Sequence, residues 1–168
     1  MRLAARVQDF VSCPMEEVRQ VPEVRVLVVD DNVDAATSLG YLLQLMGAKT
    51  AVAFGGDMAL RLVRLFQPGV VLVDLRMPGM DGLEVLSEAR RLPECEPDTL
   101  FVCFSASRDK WEQQRCLEGG FDYFIPKPVD PAELAGVLHA AQGRVRAGGV
   151  KPSRESTRTA AAAGRRSR

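Results

Sequence analysis

Five polar side chains stand at or just beyond the ends of apolar runs, where a folded chain would gather them. Asp30 and Asp31 close RVLVVDD, Asp74 closes GVVLVD, Ser105 closes TLFVCFS, and Lys127 follows DYFIP. Three carboxylates against one ammonium leave about −2 in a partly desolvated cleft, a repulsive arrangement until a hard divalent cation enters. Mg2+ is the natural ion, because it is held by a few carboxylates and keeps several waters. Beside such a cation and an ammonium, Asp74 is expected to stay ionised and to serve as a nucleophile toward a phosphoryl group. Metal, Lys127 and the Ser105 hydroxyl would then share the phosphoryl oxygens.

The runs that end in these residues read as strands. Arg25 to Asp30, Gly69 to Asp74 and Thr99 to Ser105 are short, rich in β-branched residues and apolar on both faces, which is the grammar of buried parallel strands. Asp122 to Pro126 is a shorter version, and Thr50 to Phe54 is the weakest and predicts an edge. Between them, Ala35, Leu39, Leu42, Leu43 and Met46 recur at helical spacing, as do Ala59, Leu60, Val63 and Phe66, then Val85, Leu86 and Ala89. Gly55-Gly56-Asp57 starts the second helix, and Asp34 and Asp81 sit where acids stabilise helix starts. The last helix is the best marked, with Asp130 as N-cap, Pro131 at the first position and Leu134, Val137, Leu138 and Ala141 facing inward. The helix from Lys110 to Glu118 offers only Trp111, Cys116 and Leu117 as apolar anchors, so it is expected to be the least firmly seated, with Trp111 partly exposed. Alternating β and α units imply a doubly wound α/β fold, a five-stranded parallel sheet in the order 2-1-3-4-5 with five helices. In such sheets the crevice lies at the carboxyl ends of the strands, where Asp30, Asp31 and Asp74 fall.

Composition removes several function classes. The 168 residues carry 22 Lys plus Arg against 22 Asp plus Glu, one His and four Cys, enough for one domain or at most two small ones. No apolar run is long enough to span a membrane, and Asp9, Glu16 and Glu17 break any signal core, so a cytoplasmic location is expected. The cysteines at 13, 95, 103 and 116 form no C-x-x-C pair; Cys103 and Cys116 read as small core residues. His139, the lone imidazole, falls on a helix surface and leaves little for a Ser/His/Asp relay. Residues 143 to 168 hold eight basic residues and one acid, making a +7 tail on a −7 body. The expected organisation is a poorly ordered leader over 1 to 22, one domain over 23 to 142, and a basic, Ala/Arg-rich disordered tail over 143 to 168.

The motif text VLVVDDN at 26 to 32, VLVDLRMPGMDG at 71 to 82, FSAS at 104 to 107 and FIPKP at 124 to 128 resembles the receiver domain of two-component response regulators, from about Val24 to Gln142. The resemblance implies a flavodoxin-like fold in which Asp74 is the phosphoacceptor and Asp30, Asp31, Asp74 and the Arg76 backbone carbonyl hold Mg2+. It makes Ser105 the hydroxyl that follows the phosphoryl group, Lys127 its cation, and Lys127-Pro128 a cis bond. Phe124 takes the aromatic switch position, where many members carry Tyr, while Tyr123 points to the opposite face of the strand. Arg76 and Ser107 fall at positions that tune hydrolysis of the phosphoaspartate, and a bulky Arg76 could block the attacking water.

The implied protein is a phosphoacceptor rather than a dedicated enzyme. Its expected partners are a sensor histidine kinase or histidine phosphotransfer protein and a downstream protein target reached through the fourth helix, fifth strand and fifth helix; a homodimer is a further possibility. The 26-residue tail offers no DNA-binding output domain. Rival readings are a phosphorylation-independent binding module, a phosphate-relay intermediate, and a tail that binds nucleic acid or an acidic membrane surface through its charge. An aspartyl-phosphate phosphatase would need an acid two residues after its nucleophile, where Arg76 stands.

Overall fold

The computed structural model describes residues 23–107 and 109–146; the leader and most of the tail lie outside the described residues. The strands are β1 (Arg25–Val29), β2 (Lys49–Ala53), β3 (Val70–Asp74), β4 (Leu100–Ser105) and β5 (Tyr123–Pro126). The helices are α1 (Val33–Leu45), α2 (Gly56–Phe66), α3 (Gly82–Ala89), α4 (Lys110–Gly119) and α5 (Pro131–Arg146). All strand pairs are parallel and the order is β2-β1-β3-β4-β5, as the alternation of elements predicts. No helix among the described residues is long and apolar enough to cross a membrane.

Each central strand feeds two cores because successive side chains point to opposite faces. Val26, Val28, Val70, Leu72, Val102 and Phe104 pack with Leu39 and Leu43 of α1 and Leu134 and Leu138 of α5. Leu27, Val29, Val71, Val73, Phe101 and Cys103 pack on the other face with α2, α3 and Cys116 of α4. Phe101 is the largest fully buried side chain, and burying a group of that size contributes roughly 2–3 kcal/mol.

The inward stripe of α1 differs from the expected one. Ala36, Leu39, Gly40 and Leu43 are buried, and Ala35 is exposed. Ala36, with Leu39 and Leu43, packs into the core on that face of the sheet, and Asn32 caps the helix by accepting the Ala35 N–H at 3.0 Å. Helix α5 follows its pattern, with Leu134, Val137, Leu138 and Ala141 all buried and the Asp130 side chain accepting the Ala132 N–H at 2.8 Å. In α4, Cys116 is the one apolar anchor among the three expected; Trp111 is 68% exposed and Leu117 44%. The other buried residue of α4 is a charged one, Glu112.

Candidate functional site

Register brings the acids together. Val29 pairs with Val73, so Asp30 and Asp74 each follow one member of a neighbouring pair on β1 and β3. One oxygen from each of Asp30, Asp31 and Asp74 lies within 4.8 Å of the others, the spacing of ligands around a single cation. Asp30 and Asp74 are buried and Asp31 is exposed, which leaves the cluster open on one side. On the other side of β3, Asp74 pairs with Phe104 and Ser105 pairs with Pro126, which sets Ser105 and Lys127 beyond the same sheet edge. The Lys127 N–H donates to the Ser105 carbonyl at 2.7 Å, locking the strand end to the loop that carries the ammonium. The Lys127-Pro128 bond is cis.

Lys127 Nζ donates to Asp30 Oδ2 at 2.8 Å, pairs with Asp74 Oδ1 at 3.3 Å, and lies 4.5 Å from the centre of the Phe104 ring. Burial alone would lower the Lys127 pKa, but the Asp30 hydrogen bond and the two carboxylate charges outweigh it and hold the ammonium above its ordinary value. For Asp74 burial is the largest influence and raises the pKa; the Asp30 charge adds to it, and the pull of Lys127 and of the Arg76 backbone amide does not cancel them. An ammonium alone therefore leaves the Asp74 carboxylate short of compensation, and the charge deficit invites a cation. The expectation that Asp74 stays fully comfortable as an anion applies with a metal present.

Two details of local structure hold the site open. Gly82 begins α3 so close to the end of β3 that a Cβ there would lie 2.7 Å from the Asp74 carbonyl oxygen and 3.0 Å from Leu75 Cα. Only glycine permits that approach. Asp81 caps the same helix with a complete capping box: its side chain accepts the Glu84 N–H at 2.8 Å, and Glu84 accepts the Asp81 N–H at 2.8 Å.

Ser105 is buried at the end of β4, and its Oγ accepts the Ser107 N–H at 3.2 Å, so the hydroxyl shapes the turn that follows the strand. Phe124 is half-buried against the α2/α3/α4 core, and Tyr123 is 40% exposed, in keeping with alternation along β5. Arg76 reaches away from the carboxylate cluster to α4, where its Nε and Nη2 donate to Glu112 Oε1 at 3.2 and 3.0 Å. Glu112 was not among the expected site residues. Its position three after Asp109 carries the signature of a capping box, yet Asp109 caps the Trp111 N–H and Glu112 turns inward.

Comparison with known proteins agrees with this geometry. The response regulator receiver domain family matches residues 26–139. A 14.6 kDa protein of Leptolyngbya boryana from the sodA1 3′ region is 33% identical over 117 residues, covering 70% of this chain and 88% of that protein. The DNA-binding response regulator MtrA of Mycobacterium tuberculosis is 36% identical over 126 residues, covering 75% of this chain and 52% of MtrA; this chain thus spans about half the length of that relative. Among solved structures, the Francisella response regulator 1452 receiver domain superposes with a TM-score of 0.65 at 28% identity, covering 73% of this chain and 99% of that one. The signal receiver domain of the response regulator NarL from Mycobacterium tuberculosis gives 0.63 at 33% identity, covering 73% and 98%. The chain belongs to the response regulator receiver domain family.

Proposed function

We propose that Asp74 accepts a phosphoryl group from a phosphohistidine on a sensor histidine kinase or phosphotransfer protein, with Mg2+ held by Asp30, Asp31, Asp74 and the Arg76 carbonyl. The observation that carries this reading is the Lys127 ammonium placed between Asp30 and Asp74, with the Asp31 carboxylate beside them. Bound Mg2+ would supply positive charge to the transferring phosphoryl oxygens. Asp74 attacks phosphorus through a carboxylate oxygen, the P–N bond to the donor imidazole breaks, and the imidazole leaves with that electron pair. Lys127 offers its ammonium to an equatorial phosphoryl oxygen. The Ser105 hydroxyl donates to another while its oxygen goes on accepting the Ser107 N–H, which links modification of Asp74 to the turn before α4. Phe124 sits behind that turn as the packing element of the switch, and output follows through the face of α4, β5 and α5. Arg76 and Ser107 tune the lifetime of the acyl phosphate.

Incubation of the full chain with acetyl phosphate and Mg2+ is expected to label Asp74, and Asp74→Asn or removal of Mg2+ by a chelator to abolish labelling. A label that persists in Asp74→Asn removes the assignment.

A further inference from the structure

Arg76 joins the end of β3 to α4. Its backbone amide favours the charged form of Asp74, and its guanidinium is bonded through two nitrogens to Glu112 in the first turn of α4. Glu112 is 6% exposed, and its Oε2 is buried with no hydrogen-bond partner among the described residues. A carboxylate so placed depends on Arg76 for its compensation. Helix α4 has two inward attachments, Glu112 and Cys116, so the Arg76 contact is what seats its N-terminal turn. The guanidinium itself is mostly exposed, at 75%, along a cleft of about 270 Å³ between Leu75, Asp81, Leu83 and Trp111.

We infer that Glu112 is the positioning residue for Arg76: it holds the guanidinium on α4 while Asp74 is unmodified and yields it to the phosphoryl group afterwards, releasing the first turn of α4. The inference rests on the phosphoacceptor reading above. A phosphoryl group presents more negative charge than one carboxylate and can take a guanidinium through two oxygens. Loss of Arg76 leaves Glu112 buried with its charge uncompensated, so the helix turn that carries it must move toward water. The exchange thus converts a charge event at β3 into motion of α4 with no intervening chain of contacts.

Trp111 is the only tryptophan and precedes Glu112 by one residue, so its fluorescence reports this turn directly. Three full-length proteins are compared: the native chain, Glu112→Gln, and Arg76→Met/Glu112→Met, which removes both charges together and keeps the turn folded. Each is labelled with acetyl phosphate and Mg2+, the label on Asp74 and its half-life are measured, and Trp111 emission is read at equal label. Labelling is expected to shift native emission. Unlabelled Glu112→Gln, which buries no charge in the turn, should keep native emission and hold it on labelling, and its label should outlast the native one by about three-fold or more because Arg76 no longer has a competing anion. In the double variant, emission should be the same with and without label. Native protein that takes label with Trp111 silent, or Glu112→Gln whose emission shifts on labelling or whose label has the native half-life, overturns the exchange and leaves the phosphoacceptor reading standing. Native protein that takes no label on Asp74 removes that reading and the trigger of the exchange with it.

Discussion

Lys127 Nζ stands 2.8 Å from Asp30 Oδ2, joining residues 97 positions apart at the mouth of the sheet. Asp30 is almost wholly buried, and its other oxygen already accepts the Asn32 N–H at 2.9 Å. Without the ammonium, two buried carboxylates would face each other uncompensated. Lys127→Ala is expected to cost about 2 kcal/mol of stability in metal-free protein, less than for a fully buried pair because Lys127 is partly exposed. Phosphorylation of Asp74 should slow by about 100-fold. Urea denaturation and acetyl phosphate labelling measure the two effects, and a variant that labels at the native rate would remove Lys127 from the chemistry.

Asp74 makes the metal-free fold less stable at neutral pH. Folding raises its pKa, chiefly through burial, so its contribution favours the fold below its ordinary value of 3.8 and is lost as pH rises through the folded value. Asp74→Asn should therefore melt above the native protein at pH 7 in chelator, since Lys127 keeps its shorter contact with Asp30. The difference should close as pH falls into the carboxylate range, and Mg2+ should narrow it at neutral pH. Melting curves that show the Asn variant less stable at pH 7 in chelator would contradict the burial argument.

Gly82→Ala tests the close seating of α3 on the end of β3. The new Cβ would meet backbone atoms, which cannot rotate away, so the helix or the Asp74 carbonyl must shift. A destabilisation of roughly 1–3 kcal/mol is expected, together with slower labelling from misplacement of Asp74. Native kinetics in a stably folded variant would show that the site tolerates the shift.

Cys103 and Cys116 lie 3.4 Å apart, sulfur to sulfur, fully buried between β4 and α4. Burial pushes both thiols upward, and the neighbouring Cys116 sulfur further disfavours ionisation of Cys103. Neither should react with iodoacetamide in the folded protein at pH 7.5 on the timescale that modifies a free thiol; unfolding should expose both. Peptide mapping after a timed alkylation checks this, and rapid modification of Cys116 would reveal frequent opening of α4.

The residues at the strand ends were legible because a parallel strand buried on both faces must be an apolar run, and its last residue is where polarity returns. Asp30, Asp74 and Ser105 follow from that pattern alone, and the sheet order from the alternation of elements. Helix facing was read less well. Ala35 and Ala36 both fit the spacing of Leu39 and Leu43, and packing of α1 on the sheet decided for Ala36. Leu117 reads as an anchor because it is apolar, but α4 presents it to solvent and buries Glu112 instead. Nothing in spacing joins Arg76 to Glu112, 36 residues away, or Cys103 to Cys116 across strand and helix. Local sequence determines the strands, most helix starts and the chemical type of each strand end, because hydrogen bonding and burial act over a few residues. How near the carboxylates stand to one another and to Lys127, and which buried acid of α4 Arg76 answers, were decided only by the tertiary structure, because charge acts through space and the sheet register sets those distances.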